Sequence, residues 1–175
     1  MAISIRQLTP VSGEVSGIDL TKPLTKAEAA AIEAGMDKYG VLVFHGQNIT
    51  DEQQQDFSRN FGPLEDARGG NITKPQDKRL AEGMNDVSNL GKDGKPLPKD
   101  SRQHLFNIGN MLWHSDSSFR AIPAKYSLLS CRVLNKNGGN TEFADMRAAY
   151  DDLDGETKAE IDGMICEHSL MHSRG

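Results

Sequence analysis

Two helix-start signatures bracket one short apolar run, and that arrangement restricts the front of this chain more than any other feature. Thr25-Lys26-Ala27-Glu28 is a capping box. In such a box the Thr hydroxyl accepts a backbone N–H of the first turn, and the Glu carboxylate accepts the N–H of the Thr. Behind it Ile32, Met36 and Tyr39 recur at helical spacing, and Gly40 is placed to end the helix. Val41-Leu42-Val43-Phe44 follows as a run apolar at every position, which predicts a fully buried strand. A second box, Thr50-Asp51-Glu52-Gln53, opens another helix with Phe57 and Phe61 on one face, and Gly62-Pro63 stops it. Upstream, Ile3, Ile5, Val11, Val15 and Ile18, with Gly13 and Gly17 between them, read as short strands punctuated by turns.

Beyond residue 65 the character changes. Residues 66–100 are thin in apolar side chains and broken by Gly69-Gly70, Lys74-Pro75 and Gly91-Lys92-Asp93-Gly94-Lys95-Pro96. They read as a long loop or lid, with Val87–Leu90 a strand and Gly91–Pro98 a hairpin tip; an ordinary surface loop fits the same text. Strand-like composition returns at His104–Ile108, Met111–Ser115 and Tyr126–Leu134. Asn137-Gly138-Gly139-Asn140 makes a tight turn into Thr141-Glu142-Phe143. Met146–Leu153 and Glu156–Ile165 read as two helices split by Asp154-Gly155, and Cys166–Leu170 as a further strand.

Composition sets the bounds. With 175 residues, 20 Lys+Arg against 25 Asp+Glu and a net charge of −5, the chain suits one domain. It lacks the basic footprint of a nucleic-acid binder. No apolar run approaches a membrane span, and Met1–Pro10 has no basic start leading into an apolar stretch. Cys131 and Cys166 fit a reduced, cytoplasmic protein with buried thiols. Hydrophobic residues at 37% and aromatics at 6% are low for a compact enzyme. That shortfall predicts a covering surface, from a partner subunit or further chain.

His114-Ser115-Asp116 is the sharpest chemical signal. In extended backbone, residues two apart share a face, so an imidazole and a carboxylate converge. A nitrogen and an oxygen suit a borderline divalent metal, and one more His would complete the 2-His-1-carboxylate triad of non-haem Fe(II) oxygenases. Alone, so short a pattern arises readily by chance. A zinc hydrolase would need a water-activating base beside it, and none is recognisable.

The surroundings are more telling. Trp113, the single tryptophan, precedes His114, and Ser117-Ser118-Phe119 follow Asp116. Together with Gly13-Glu14-Val15-Ser16-Gly17-Ile18-Asp19-Leu20, Gly40–Phe44 and Asn137–Thr141, this stretch resembles the TauD/TfdA family of Fe(II)- and 2-oxoglutarate-dependent dioxygenases. Within that family it is most similar to the 2,4-dichlorophenoxyacetate and phenoxypropionate dioxygenases. The resemblance spans essentially the whole chain. It implies a mainly β fold with flanking helices, a double-stranded β-helix (jelly roll), here incomplete. Residues 1–175 would be a single domain lacking its C-terminal part.

Carried over residue by residue, the resemblance makes His114 and Asp116 iron ligands. It makes Thr141 the hydroxyl that bonds a carboxylate of 2-oxoglutarate, and Asn110 a substrate-pocket residue. On the residues alone, Thr141 also reads as the start of a strand and Asn110 as a turn cap. Trp113 reads as packing beside the metal, and His168 and His172 as structural. The family's distal histidine and its 2-oxoglutarate-binding arginine have no counterparts, and both are expected beyond Gly175. The implied cosubstrates are 2-oxoglutarate and O2. The implied substrate is a small anionic organic molecule, an aryloxyalkanoate such as 2,4-dichlorophenoxyacetate, oxidised to a phenol and an oxoacid with succinate and CO2. Taurine or another alkylsulfonate is the alternative within the class. Arg68, Lys92 and Lys95 are candidate charges for such an anion, or simply a solvated face. With two ligands and open sheet edges, residues 1–175 alone are expected to be inactive and to associate as a homo-oligomer. The alternative of another class is a catalytically silent binding module.

Overall fold

The computed structural model describes residues 3–65, 78–134, 137–169 and 172. The elements are β1 (Ser4–Thr9), β2 (Ser12–Ser16), α1 (Lys26–Tyr39), β3 (Val41–Phe44), α2 (Asp51–Arg59), α3 (Arg102–Ile108), α4 (Met146–Asp151) and α5 (Gly155–Ile161), with a 3-10 turn at Gly109–Met111. The chain divides into two compact units, Met1–Gly62 with Leu129–Ile165, and Pro63–Leu128 with Cys166–Gly175.

In the first unit the front half folds as its local chemistry dictates. β1 runs antiparallel to β2, and β2 runs parallel to β3, so α1 is the crossover between parallel neighbours. Both capping boxes form. The Thr25 backbone N–H donates to Glu28 at 2.8 Å and the Glu28 N–H to the Thr25 hydroxyl at 3.2 Å; Thr50 and Gln53 repeat the exchange at 2.9 and 3.2 Å. Gly40 ends α1 at φ 74°, a left-handed conformation that a side chain disfavours, with its N–H bonded to Met36 O at 2.7 Å.

Helical spacing pointed to Met36 on the inward face, but the tightest position is Gly35. A Cβ there would lie 2.5 Å from Ile5 Cδ1 and 3.1 Å from Leu42 Cδ1, so α1 rests almost backbone-to-sheet. Leu20, Ile32, Ile49 and Phe57 form the core, and Phe57 meets Phe44 and Phe61 edge-on at 5.7 and 5.3 Å. β3 is only half-buried along its length, not fully buried as its apolar run predicts.

Two arginines tie the later segments of this unit to the helices. Arg132 donates to Ile49 O at 2.7 Å, Asp51 Oδ1 at 3.0 Å and Gln54 Oε1 at 3.1 Å, gripping the start of α2. Arg147 donates to Asp37 O at 2.6 Å in the last turn of α1, where a cation also complements the helix dipole. The two late helices form, with Asp145 and Asp154 as N-caps, though α4 ends at Asp151 rather than Leu153 and α5 at Ile161 rather than Ile165. Gly138 and Gly139 take positive φ, 67° and 77°, but the expected tight turn reduces to a bend at Asn137 in irregular backbone.

The second unit departs more from expectation. His104–Ile108 is helix, not strand: Ser101 caps it by accepting the His104 N–H at 3.2 Å, a local bond that overrides the apolar pattern. The hairpin tip forms, with Gly91 N–H on Lys95 O at 2.8 Å and Leu97 N–H on Asn89 O at 2.7 Å, but Val87–Leu90 contributes only one bridge, Leu90 to Pro96. Residues 66–77 of the expected lid, with Arg68, lie outside the described residues.

Met111–Ser115, Tyr126–Leu134 and residues 166–169 form no strand. A strand exists only through ladder bonds to a neighbour, and among the described residues these segments have none. Their apolar side chains stay open, Leu134 at 85% exposure and Trp113 at 70%, so Trp113 does not pack in a core. Cys131 and Cys166 lie on the same uncovered stretches and are exposed, not buried. Among the described residues the jelly roll is not formed; the architecture is a small sheet with helices.

Gly40→Ala should destabilise the first unit by about 1 kcal/mol, through forced left-handed backbone, as read by urea unfolding. Acid should act there too. The hydroxyl of Thr21, then Lys22, lowers Asp19 from 3.8 to about 2, and the backbone N–H and hydroxyl of Thr25 lower Glu28 below its ordinary 4.5. Folded values below unfolded ones mean that the stabilisation is complete above those ordinary values and lost as the pH falls through the lowered ones. The urea midpoint should therefore drop between about pH 5 and 2. An Asp19→Ala/Glu28→Ala variant should show a flatter profile.

Candidate functional site

The 3-10 turn Gly109–Met111 ends at Leu112, whose backbone is extended at φ −87° and ψ 146°. That extension leads through Trp113 to His114, and a turn begins at Asp116. Within it Ser117 has φ 58°, the only positive φ outside glycine among the described residues. A non-glycine residue keeps such a conformation only where its surroundings enforce it. Here Arg120 N–H donates to Ser117 O at 2.9 Å, and the Ser118 hydroxyl donates to Ser115 O at 3.0 Å. The Glu65 carboxylate accepts the Ser117 hydroxyl and pairs with Arg120 Nε at 2.8 Å.

The turn brings His114 and Asp116 together. His114 Nδ1 lies 2.6 Å from Leu112 O. A carbonyl only accepts, so Nδ1 carries the proton and Nε2 of the neutral ring presents its lone pair. Nε2 faces Asp116 Oδ1 at 3.4 Å. Two electron-rich atoms at that distance need a cation: a proton on Nε2, making an ion pair, or a metal ion bound to both. With bonds of about 2.1 Å to each donor, this separation subtends roughly 110° at a metal, within the range of ordinary coordination. Both side chains are open to solvent, at 39% and 57%, so a metal and its further ligands can reach them. The donor set therefore fits a divalent transition metal.

Two contacts that the sequence did not announce hold this pair. One is the Leu112 carbonyl; the other is Ser127, whose hydroxyl donates to Asp116 Oδ2 at 2.7 Å. A serine inside the apolar run Tyr126–Leu129 was the one available hint of the second. Asn110 sits exposed in the 3-10 turn of the same unit. Thr141 is exposed in the other unit, in irregular backbone after Gly138-Gly139, so it begins no strand. His168 is also exposed and without strand structure. Among the described residues no three His, Cys, Asp or Glu side chains gather to hold a metal. Lys92 and Lys95 lie at the hairpin tip around Gly91 and Gly94.

Residues 4–175 match the model of the taurine catabolism dioxygenase TauD, TfdA family. Over 99% of its length the chain is 46% identical to the alpha-ketoglutarate-dependent 2,4-dichlorophenoxyacetate dioxygenase of Burkholderia sp. (strain RASC), of which it covers 59%. Over 96% of its length it is 34% identical to the (S)-phenoxypropionate/alpha-ketoglutarate-dioxygenase of Delftia acidovorans, covering 56% of that protein. Among solved structures, AAD-2 in complex with Mn(II) and N-oxalylglycine matches with a TM-score of 0.93 at 72% identity, over 100% of this chain and 61% of that one. The chain thus spans about three-fifths of the length of these relatives. It belongs to the taurine catabolism dioxygenase TauD, TfdA family.

Proposed function

We propose that this chain carries two of the iron ligands, His114 and Asp116, of an Fe(II)- and 2-oxoglutarate-dependent dioxygenase acting on a small aryloxyalkanoate. The observation that supports this best is the approach of His114 Nε2 to Asp116 Oδ1 at 3.4 Å, with the other ring nitrogen, Nδ1, held by Leu112 O at 2.6 Å. The substrate class rests on the relatives that act on 2,4-dichlorophenoxyacetate and phenoxypropionate. N-oxalylglycine, present with Mn(II) in the matched complex, has the skeleton of 2-oxoglutarate with NH in place of one methylene. Taurine, after which the family is named, is the comparison substrate.

Bound at this pair, Fe(II) supplies with O2 the oxidative decarboxylation of 2-oxoglutarate and the hydroxylation of the substrate. The protein's part is placement. Leu112 keeps the His114 ring in the ligating tautomer, and Asp116 offers one carboxylate oxygen beside it. As the family resemblance implies, the Thr141 hydroxyl is assigned to a carboxylate of 2-oxoglutarate and Asn110 to the substrate. A third ligand and a cation for the far carboxylate of 2-oxoglutarate come from outside the described residues. Hydroxylation of the carbon beside the ether oxygen gives a hemiacetal, which releases the phenol and leaves an oxoacid. The complete domain is a double-stranded β-helix, in which Tyr126–Leu134 gains the ladder partners it lacks here.

Succinate release from 2-oxoglutarate with 2,4-dichlorophenoxyacetate, measured on this sequence within a chain of its relatives' full length, tests the assignment. His114→Ala and Asp116→Ala should each abolish it, and taurine should substitute poorly. Full turnover in either variant would sink the ligand assignment. Thr141→Val removes a hydroxyl at nearly constant volume. It should raise the KM for 2-oxoglutarate by roughly 5- to 30-fold, the worth of about 1–2 kcal/mol for a hydrogen bond to a charged group. An unchanged KM would leave Thr141 without a part in cosubstrate binding. Residues 1–175 alone should release no succinate; turnover by them would place the third ligand within this sequence.

A further inference from the structure

Asp116 presents a problem that its own backbone does not solve. Its side chain is 57% exposed, so packing does not fix its rotamer, and its two oxygens are chemically equivalent. A free carboxylate there would turn, or close both oxygens onto one metal and occupy a further coordination position. In the structure the two oxygens are already distinguished. Oδ2 accepts the Ser127 hydroxyl at 2.7 Å, and Oδ1 faces His114 Nε2 at 3.4 Å.

We propose that Ser127 is a positioning residue for the metal site, holding Asp116 Oδ2 so that Oδ1 alone is presented beside His114 Nε2. This rests on the assignment of His114 and Asp116 as ligands. A serine hydroxyl has one proton to give, and here it goes to the carboxylate. The bond is charge-assisted and its length falls in the range expected of such a bond. It spans eleven residues of chain, so it joins the turn at Asp116 to the stretch that follows Tyr126. His114 is held in the same manner by Leu112 O at 2.6 Å. Each donor therefore has one contact that aims it. Keeping Asp116 to one oxygen leaves positions for a cosubstrate with two donor atoms and for O2. Groups that orient ligands in this way commonly account for 10- to 100-fold in metal affinity.

The test is the dissociation constant for Mn(II), followed by the electron paramagnetic resonance signal of the free ion, without cosubstrate or turnover. The protein carries this sequence within a chain of its relatives' full length. Ser127→Ala should weaken binding roughly tenfold or more. Ser127→Thr, which keeps the hydroxyl, should stay within about threefold of the unaltered protein. Ser127→Cys, similar in size but a weak donor, should group with Ser127→Ala and guards against a defect specific to the alanine. Ser127 is exposed, so these variants should share one urea midpoint, whereas a purely structural serine would shift it and leave metal affinity alone. If Asp116→Ala loses Mn(II) and Ser127→Ala binds as the unaltered protein does, the role of Ser127 is refuted and the ligand assignment stands. If Asp116→Ala binds Mn(II) undiminished, the ligand assignment fails and the role of Ser127 falls with it.

Discussion

A backbone carbonyl cannot donate a hydrogen bond, and the chemistry of this site follows from that. The 2.6 Å contact from Leu112 O obliges His114 Nδ1 to hold a ring proton, which leaves Nε2, 3.4 Å from Asp116 Oδ1, to bind a metal ion or a second proton. The uncommon φ of Ser117, and the Glu65 carboxylate that bonds both Ser117 and Arg120, belong to the same economy. They hold a tight turn in a conformation that the chain would otherwise avoid, and the turn keeps the two donors on one side.

The first unit is organised by different physics. There a parallel pair of strands must be joined by a crossover, and α1 makes it within the span from β2 to β3. The helix approaches the sheet through Gly35, so Ile5 and Leu42 reach its backbone and the layer closes without a large side chain between. Arg132 and Arg147 then fasten later segments to the two helices by accepting geometry already set by α1 and α2. These are long-range bonds between polar groups that no local pattern announces.

How much was legible in the sequence depended on whether the deciding contact was local. The capping boxes at Thr25 and Thr50, and the Gly40 stop, are complete within a few residues, and they formed where the text put them. His104–Ile108 was misread because its apolar residues suggested a strand while Ser101, three residues ahead of His104, supplied a helix cap. Met111–Ser115 and Tyr126–Leu134 have the composition of strands, yet a strand is a relation between two segments, and the described residues provide no second one. The same absence exposes Trp113, Cys131 and Cys166, which composition alone assigned to the interior.

The sequence by itself determined the donor types, the order of helices in the first unit and membership of the family, because residue identity and short spacing suffice for each. It could not determine which nitrogen of His114 carries the proton, which oxygen of Asp116 is free, or that Ser127 is the group that settles the second question. Those depend on atoms brought within 3 Å by the path of the chain, and a hydrogen bond is decided by such approach, not by the distance between residues along the sequence.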